Sequence, residues 1–194
     1  MKSTFNVLGV AGSIRKGSYS AQALKIAIEH AKKHGTEVRL LDISKMPLYD
    51  PNAPASAEVK QAAEAVSWAD AIILASPDYH GSMSGALKNF LDHFYEEFAG
   101  KLFGYIVASH EKGLTVMDQM RTAVRQCYGW SMPYGVSVNG PQDFSGGEIV
   151  NARLAKRLRM MARDLVVYGR LLNSQFVRDL GSSEQDTFAA HYRQ

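Results

Sequence analysis

The chain has 194 residues, of which 46% are hydrophobic and 21% charged, so it suits one folded unit over 1–194 and excludes a disordered or low-complexity polypeptide. A net charge of +3 with no dense Lys/Arg run gives no reason to expect nucleic acid, and the single cysteine, Cys127, excludes an internal disulfide or a cysteine-based metal cluster. No apolar stretch approaches the about 20 residues of a membrane span and no charged-then-apolar leader opens the sequence, so a cytoplasmic protein without a membrane partner is expected.

The first apolar run, over 5–10, reads as a strand. Ala21, Leu24, Ile28 and Ala31 then mark one face of a helix that stops at Gly35. Residues 37–43 read as a second strand, and the three prolines in 45–55 make a loop over one end of a sheet. Ser56 caps a helix with Val59, Ala63 and Val66 inward. The continuous apolar run 71–75 is a strand covered on both faces. Beyond a loop at 76–83, helical spacing links Met83, Leu87, Phe90, Leu91, Phe94 and Phe98.

Residues 102–108 form the fourth strand, 115–127 a helix with Met117, Met120, Val124 and Cys127 on one side, and 134–138 the fifth strand. Cys127 is read as a small buried hydrophobe. A turn at 139–141 and a Gly-rich loop at 140–147 lead into a long helix over 150–172, with Val150, Leu154, Leu158, Met161, Leu165 and Leu172 inward. Its Arg153, Lys156, Arg157, Arg159 and Arg163 read as a solvated face. Ser183 and Asp186 have capping-box spacing for a short terminal helix bearing Phe188 and Tyr192. Five strands alternating with helices predict an α/β, doubly wound parallel sheet. Ligands of such sheets lie beyond the carboxyl ends of the strands, which selects three loops: 12–20, 76–83 and 109–115.

The first loop places Ser13, Arg15, Ser18, Tyr19 and Ser20 between a strand and a helix. Unpaired N–H groups at a helix start attract anions, hydroxyls add donors, and a guanidinium grips phosphate bidentately. A Walker A loop is excluded because Ser18 stands where its lysine belongs. Glycines at 9, 12 and 17 do not have dinucleotide-loop spacing, although Asp42 stands where the acid of such a site would be. Hydroxyls dominate, which suits a terminal monophosphate, the group FMN carries. In the second loop Pro77, Asp78, Tyr79, His80 and Gly81 offer an aromatic plane, a hydrogen-bonding imidazole and a glycine that a flat ring can approach closely. The third loop holds Ser109, His110, Lys112 and Gly113; His110 and Glu111 make no metal-binding set.

Gly12-Ser13-Ile-Arg15-Lys-Gly-Ser18, followed by Pro77-Asp78-Tyr79-His80-Gly81-Ser82-Met-Ser-Gly85-Ala-Leu87-Lys88-Asn89, resembles the NADPH-dependent FMN reductase family. The family pattern carries Glu, Asn and Asn where this chain has Asp78, His80 and Ser20, and often a glycine pair where the third loop has one. The resemblance implies a flavodoxin-like five-stranded parallel sheet of order 2-1-3-4-5 with helices on both faces. It implies FMN phosphate on Ser13, Arg15, Ser18 and Ser20, and the flavin ring against 77–81. It further implies hydride transfer from NADPH or NADH to flavin N5, then on to free flavin, a quinone, an azo compound or a metal ion in a ping-pong scheme. No side-chain acid, base or nucleophile is expected; backbone N–H groups at 80–81 and 112–114 would stabilise charge on the reduced ring. A homodimer or homotetramer built on the helices 84–98 and 115–127 is implied as well. The alternative is a non-enzymatic electron carrier of the flavodoxin type.

Overall fold

The computed structural model describes residues 4–193. The chain runs β1 (Phe5–Ala11), α1 (Tyr19–Lys32), β2 (Thr36–Asp42), α2 (Ala57–Trp68), β3 (Ala71–Pro77), α3 (Gly85–Asp92), β4 (Leu102–Ala108) and α4 (Leu114–Gln126). It continues with β5 (Trp130–Ser131), β6 (Val136–Val138), α5 (Gly140–Asp143), the hairpin β7 (Phe144–Ser145) and β8 (Glu148–Ile149), and α6 (Ala152–Leu180). The main sheet is parallel in the order β2-β1-β3-β4, with β5 and β6 both pairing with β4. This is the flavodoxin-like arrangement.

Alternation along the strands divides the core into two layers. Leu8, Val10, Ile72, Leu74, Phe103 and Tyr105 point to the side covered by α2, α3 and α4. Val7, Ile73, Ala75 and Ile106 point to the side covered by α1 and α6. β3 is buried at every position because both of its faces are covered and strands flank it on both sides.

Several expectations change. The fifth strand is two pieces: Pro133 lies between β5 and β6, and the first piece falls outside the expected 134–138. The helix expected to reach Phe98 ends at Asp92, and a separate single turn follows at Glu96–Phe98. Phe94 and Phe98 stay buried in the same core across the break, so helical spacing outlasts the helix. α6 runs on to Leu180, while Val150 precedes it and is 60% exposed, not inward. The capping box at Ser183 and Asp186 does not form. That stretch is a loop gathered by the Arg193 guanidinium, which donates to Asp179 O at 2.8 Å, Ser182 Oγ at 3.1 Å and Glu184 O at 2.5 Å. A 3-10 turn at Phe188–Tyr192 follows without a side-chain cap. Cys127 is half-buried against the core, and burial pushes its thiol pKa up.

Candidate functional site

β1 hands the chain to the first loop at Gly12, whose N–H donates to Ala75 O on β3 at 2.7 Å. A Cβ there would lie 2.8 Å from that oxygen and 2.9 Å from Leu87 Cβ, so only glycine lets the two strand ends approach. Gly17, at φ +68°, turns the loop into α1. Ser18 caps the helix, its Oγ accepting from Ala21 N at 3.3 Å and lying 3.4 Å from Ser20 Oγ. The N–H groups of Tyr19 and Ser20 take no partner among the described residues, as a helix start requires of some of its donors. Arg15 is exposed and has no ion pair among the described residues. Gln22 Nε2 donates to Gly17 O at 2.7 Å, while its Oε1 is buried without a partner.

The second loop is fastened to the first by hydroxyls. Ser84 Oγ donates to Gly12 O and accepts from Leu87 N at 3.1 Å, so one side chain caps α3 and holds the backbone of the first loop. Ser84 N in turn donates to Ser76 Oγ at 3.0 Å. Tyr79 and Ser82 exchange two backbone bonds, at 3.0 and 3.1 Å, around His80 and Gly81 at φ +57° and +77°. Two successive positive φ values are the tight hairpin turn for which Asn-Gly is the usual pair, and His is among the side chains that tolerate the first position. Asp78 braces the turn from within: Oδ1 accepts from Gly81 N at 2.9 Å and Oδ2 from Ser109 Oγ at 2.9 Å. The Gly81 N–H is therefore engaged inside the loop and is withdrawn from the donors expected to face a reduced ring.

β6 and the residue that follows it hold the third loop. Ser109 N donates to Val138 O at 2.9 Å, Ser137 Oγ to Lys112 O at 2.6 Å and Asn139 Nδ2 to His110 O at 3.2 Å. One cleft of about 510 Å³ gathers Ser13, Arg15, Ser18, Tyr19 and Ser20 with Pro77, Asp78, Tyr79, Ser109 and His110. An adjoining cavity of about 770 Å³ shares Asp78, Ser109 and His110 with it and adds Gly81, Lys112 and Gly113. His80 lines neither. Asp42 turns back on its own loop: a hydrogen bond from Ser44 N at 2.9 Å holds its carboxyl below the usual range. Among the described residues no three His, Cys, Asp or Glu side chains group as a metal site, and no helix is long and apolar enough to cross a membrane.

Sequence reasoning missed one wall of the cleft. Gly140, Pro141, Phe144, Gly146 and Gly147 line it as well. The signal was available, because the rule that selects loops at the carboxyl ends of strands applies equally to the loop after the fifth strand.

The family model described as NADPH-dependent FMN reductase matches residues 5–142, a span containing the first three loops. The chain belongs to this family. Its members are enzymes, and the group it falls in comprises FMN-dependent NAD(P)H oxidoreductases and azoreductases. An NAD(P)H-dependent FMN reductase of Pseudomonas aeruginosa is 40% identical over 95 residues, covering 47% of this chain and 51% of the relative, so the match spans about half of that protein. An FMN-dependent NADPH-azoreductase of Staphylococcus aureus is 31% identical over 153 residues, 72% of this chain and 79% of the relative. Among solved structures, the NAD(P)H:acceptor oxidoreductase FerB of Paracoccus denitrificans superposes with a TM-score of 0.75 at 21% identity, over 87% of this chain and 98% of that one. At that identity the likeness speaks for the fold alone.

Proposed function

We propose that the cleft binds FMN and that the protein transfers electrons from NADPH or NADH through it to a small acceptor: free flavin, a quinone, an azo compound or a metal ion. The observation that carries this reading is the bond from Ser84 Oγ to Gly12 O, which ties the hydroxyl-and-arginine loop to the second loop, so that Ser13–Ser20 and Pro77–Tyr79 line one cleft.

The residues present fit the group. About 510 Å³ lies within the usual range for small-ligand sites. The free N–H groups of Tyr19 and Ser20, the hydroxyls of Ser13, Ser18 and Ser20, and Arg15 would hold its phosphate. No carboxylate of the cleft competes there, since Asp78 is turned onto Gly81 and Ser109. Pro77 and Tyr79 would flank the ring, with Ser109 and His110 at its edge. Bound there, FMN supplies the two-electron chemistry, accepting hydride from a reduced nicotinamide and delivering electrons onward.

The protein's own work is to bind and orient. Tyr79 is 51% exposed and the adjoining cavity opens beside the cleft, so donor and acceptor would use one approach in turn, a ping-pong scheme. His110 and Lys112 put polar and cationic groups at that entrance. An electron carrier of the same fold is the rival reading, and the family match favours the enzyme.

Adding NADPH anaerobically to the FMN-loaded protein should bleach the flavin absorbance at once. Flavin that binds but is not bleached would point to the carrier, and failure to bind FMN would overturn both readings. We further propose a homodimer packed across α4, whose outer ridge of Asp118 and Thr122 separates hollows of about 690 and 600 Å³ that a second copy would fill. Light scattering at micromolar concentration should give twice the chain mass; a monomer would refute the assembly.

A further inference from the structure

The segment 139–151 is built with more care than a connection from β6 to α6 requires. Asp143 is buried, and its carboxylate accepts from Asn139 N and from Asn151 Nδ2, both at 2.6 Å. Its carbonyl accepts from Val150 N at 2.8 Å, and Asn151 Oδ1 caps α6 by accepting from Arg153 N at 2.9 Å. One buried acid thus ties both ends of the segment to the start of a long helix. Between the ties, Gly146 and Gly147, at φ +56° and +88°, form the tip of a two-residue hairpin turn.

This frame presses on the phosphate loop at one point. The Tyr19 ring lies against Gly140 so closely that a Cβ on Gly140 would fall 1.9 Å from it, and the Phe144 ring stands beside it at a centroid distance of 5.8 Å. Tyr19 sits between Ser18 and Ser20, the two hydroxyls at the start of α1. The family match ends at residue 142, so the hairpin is a part of the cleft that the match does not cover.

We propose that residues 140–147 form a retaining wall over the phosphate end of the cleft, with the Tyr19–Gly140 contact as its keystone, and that this wall makes release of FMN slow. The inference rests on the FMN reading above and adds that the flavin is a resident group, not one exchanged at each turnover. A wall already held by these ties adds its contacts to the bound ligand without an ordering cost, and affinity gained in this way is read mainly as a slower off-rate.

The test is the rate at which bound FMN regains free-flavin fluorescence after dilution, for the wild type and four variants. Tyr19→Ala removes the ring and Gly140→Ala drives it away; each should release FMN about tenfold faster. The double variant should be no faster than the faster single, because both remove one contact. Tyr19→Phe keeps the ring and should release at the wild-type rate. If Gly140→Ala does not fold, as judged by circular dichroism, the comparison of Tyr19→Ala with Tyr19→Phe decides. Wild-type release from Tyr19→Ala, or fast release from Tyr19→Phe, would overturn the wall and leave the FMN reading intact. A wild type that takes up no FMN would overturn both.

Discussion

β3 runs for seven residues without an exposed position, whereas the strand place at the far side of β4 is filled by two fragments, β5 with two residues and β6 with three. The loops that follow these regions are fixed by different means. Beside β3, backbone bonds cross directly between strand ends, Gly12 N to Ala75 O and Asp78 N to Ala108 O at 2.7 and 2.8 Å, and the side chains of Ser76, Asp78 and Ser84 add to them. Beside the fragments, side chains replace the missing ladder. Ser137, Asn139 and Asp143 each reach for a neighbouring backbone group. A long strand positions its loop through the register of the whole sheet; a short one depends on a few specific residues.

That contrast can be pressed from both sides. In the middle of the sheet, Leu74→Ala should cost about 3–4 kcal/mol by urea unfolding, since a fully buried leucine leaves a cavity that covered strands cannot close. Near the edge, Asp143→Asn should cost about 2 kcal/mol, because the amide keeps an acceptor for one of the two donors and turns its own hydrogens on the other. It should also speed amide exchange at Asn139 and leave exchange in β3 unchanged; equal acceleration in both would erase the distinction.

A smaller effect sits on the bond that ties β5 in. Tyr105 OH and Ser131 Oγ are 2.6 Å apart, and burial is the main reason the Tyr105 phenol pKa is pushed up from 10.0 to about 12. The folded protein thus holds this proton more tightly than the unfolded chain. The stability it contributes is whole below pH 10 and falls as pH rises towards 12, by about 2 kcal/mol. Urea midpoints between pH 9 and 12 should decline more steeply for the wild type than for Tyr105→Phe, and parallel curves would count against the assignment.

Legibility in the sequence follows the same divide. The run 71–75 announces a covered strand because burial on both faces demands apolar residues at every position. A strand of two residues leaves no such pattern, so Trp130 and Ser131 carry no signal. The end of α3 was hidden because Phe94 and Phe98 remain in the core after the helix stops. In the cleft, the first loop could be read from residue types, since hydroxyls and a guanidinium have few other reasons to assemble there. His80 could not: its type reflects a positive φ, which spacing does not reveal. The segment 140–147 is visible as a Gly-rich loop, but what clamps it is the Tyr19–Gly140 contact and the bonds of Asp143 to Asn139 and Asn151, which only the folded chain brings together.

The hydroxyl of Ser84 has a last consequence, for anyone who would recombine parts of this protein with those of another. It stands 72 positions along the chain from the carbonyl it holds and caps a helix at the same time. The stretch 12–20 and the stretch 76–87 are therefore one exchangeable cassette, although they are far apart in sequence. A graft that carries the first without Ser84, or the second without Gly12, would bring in the right side chains on a backbone out of alignment.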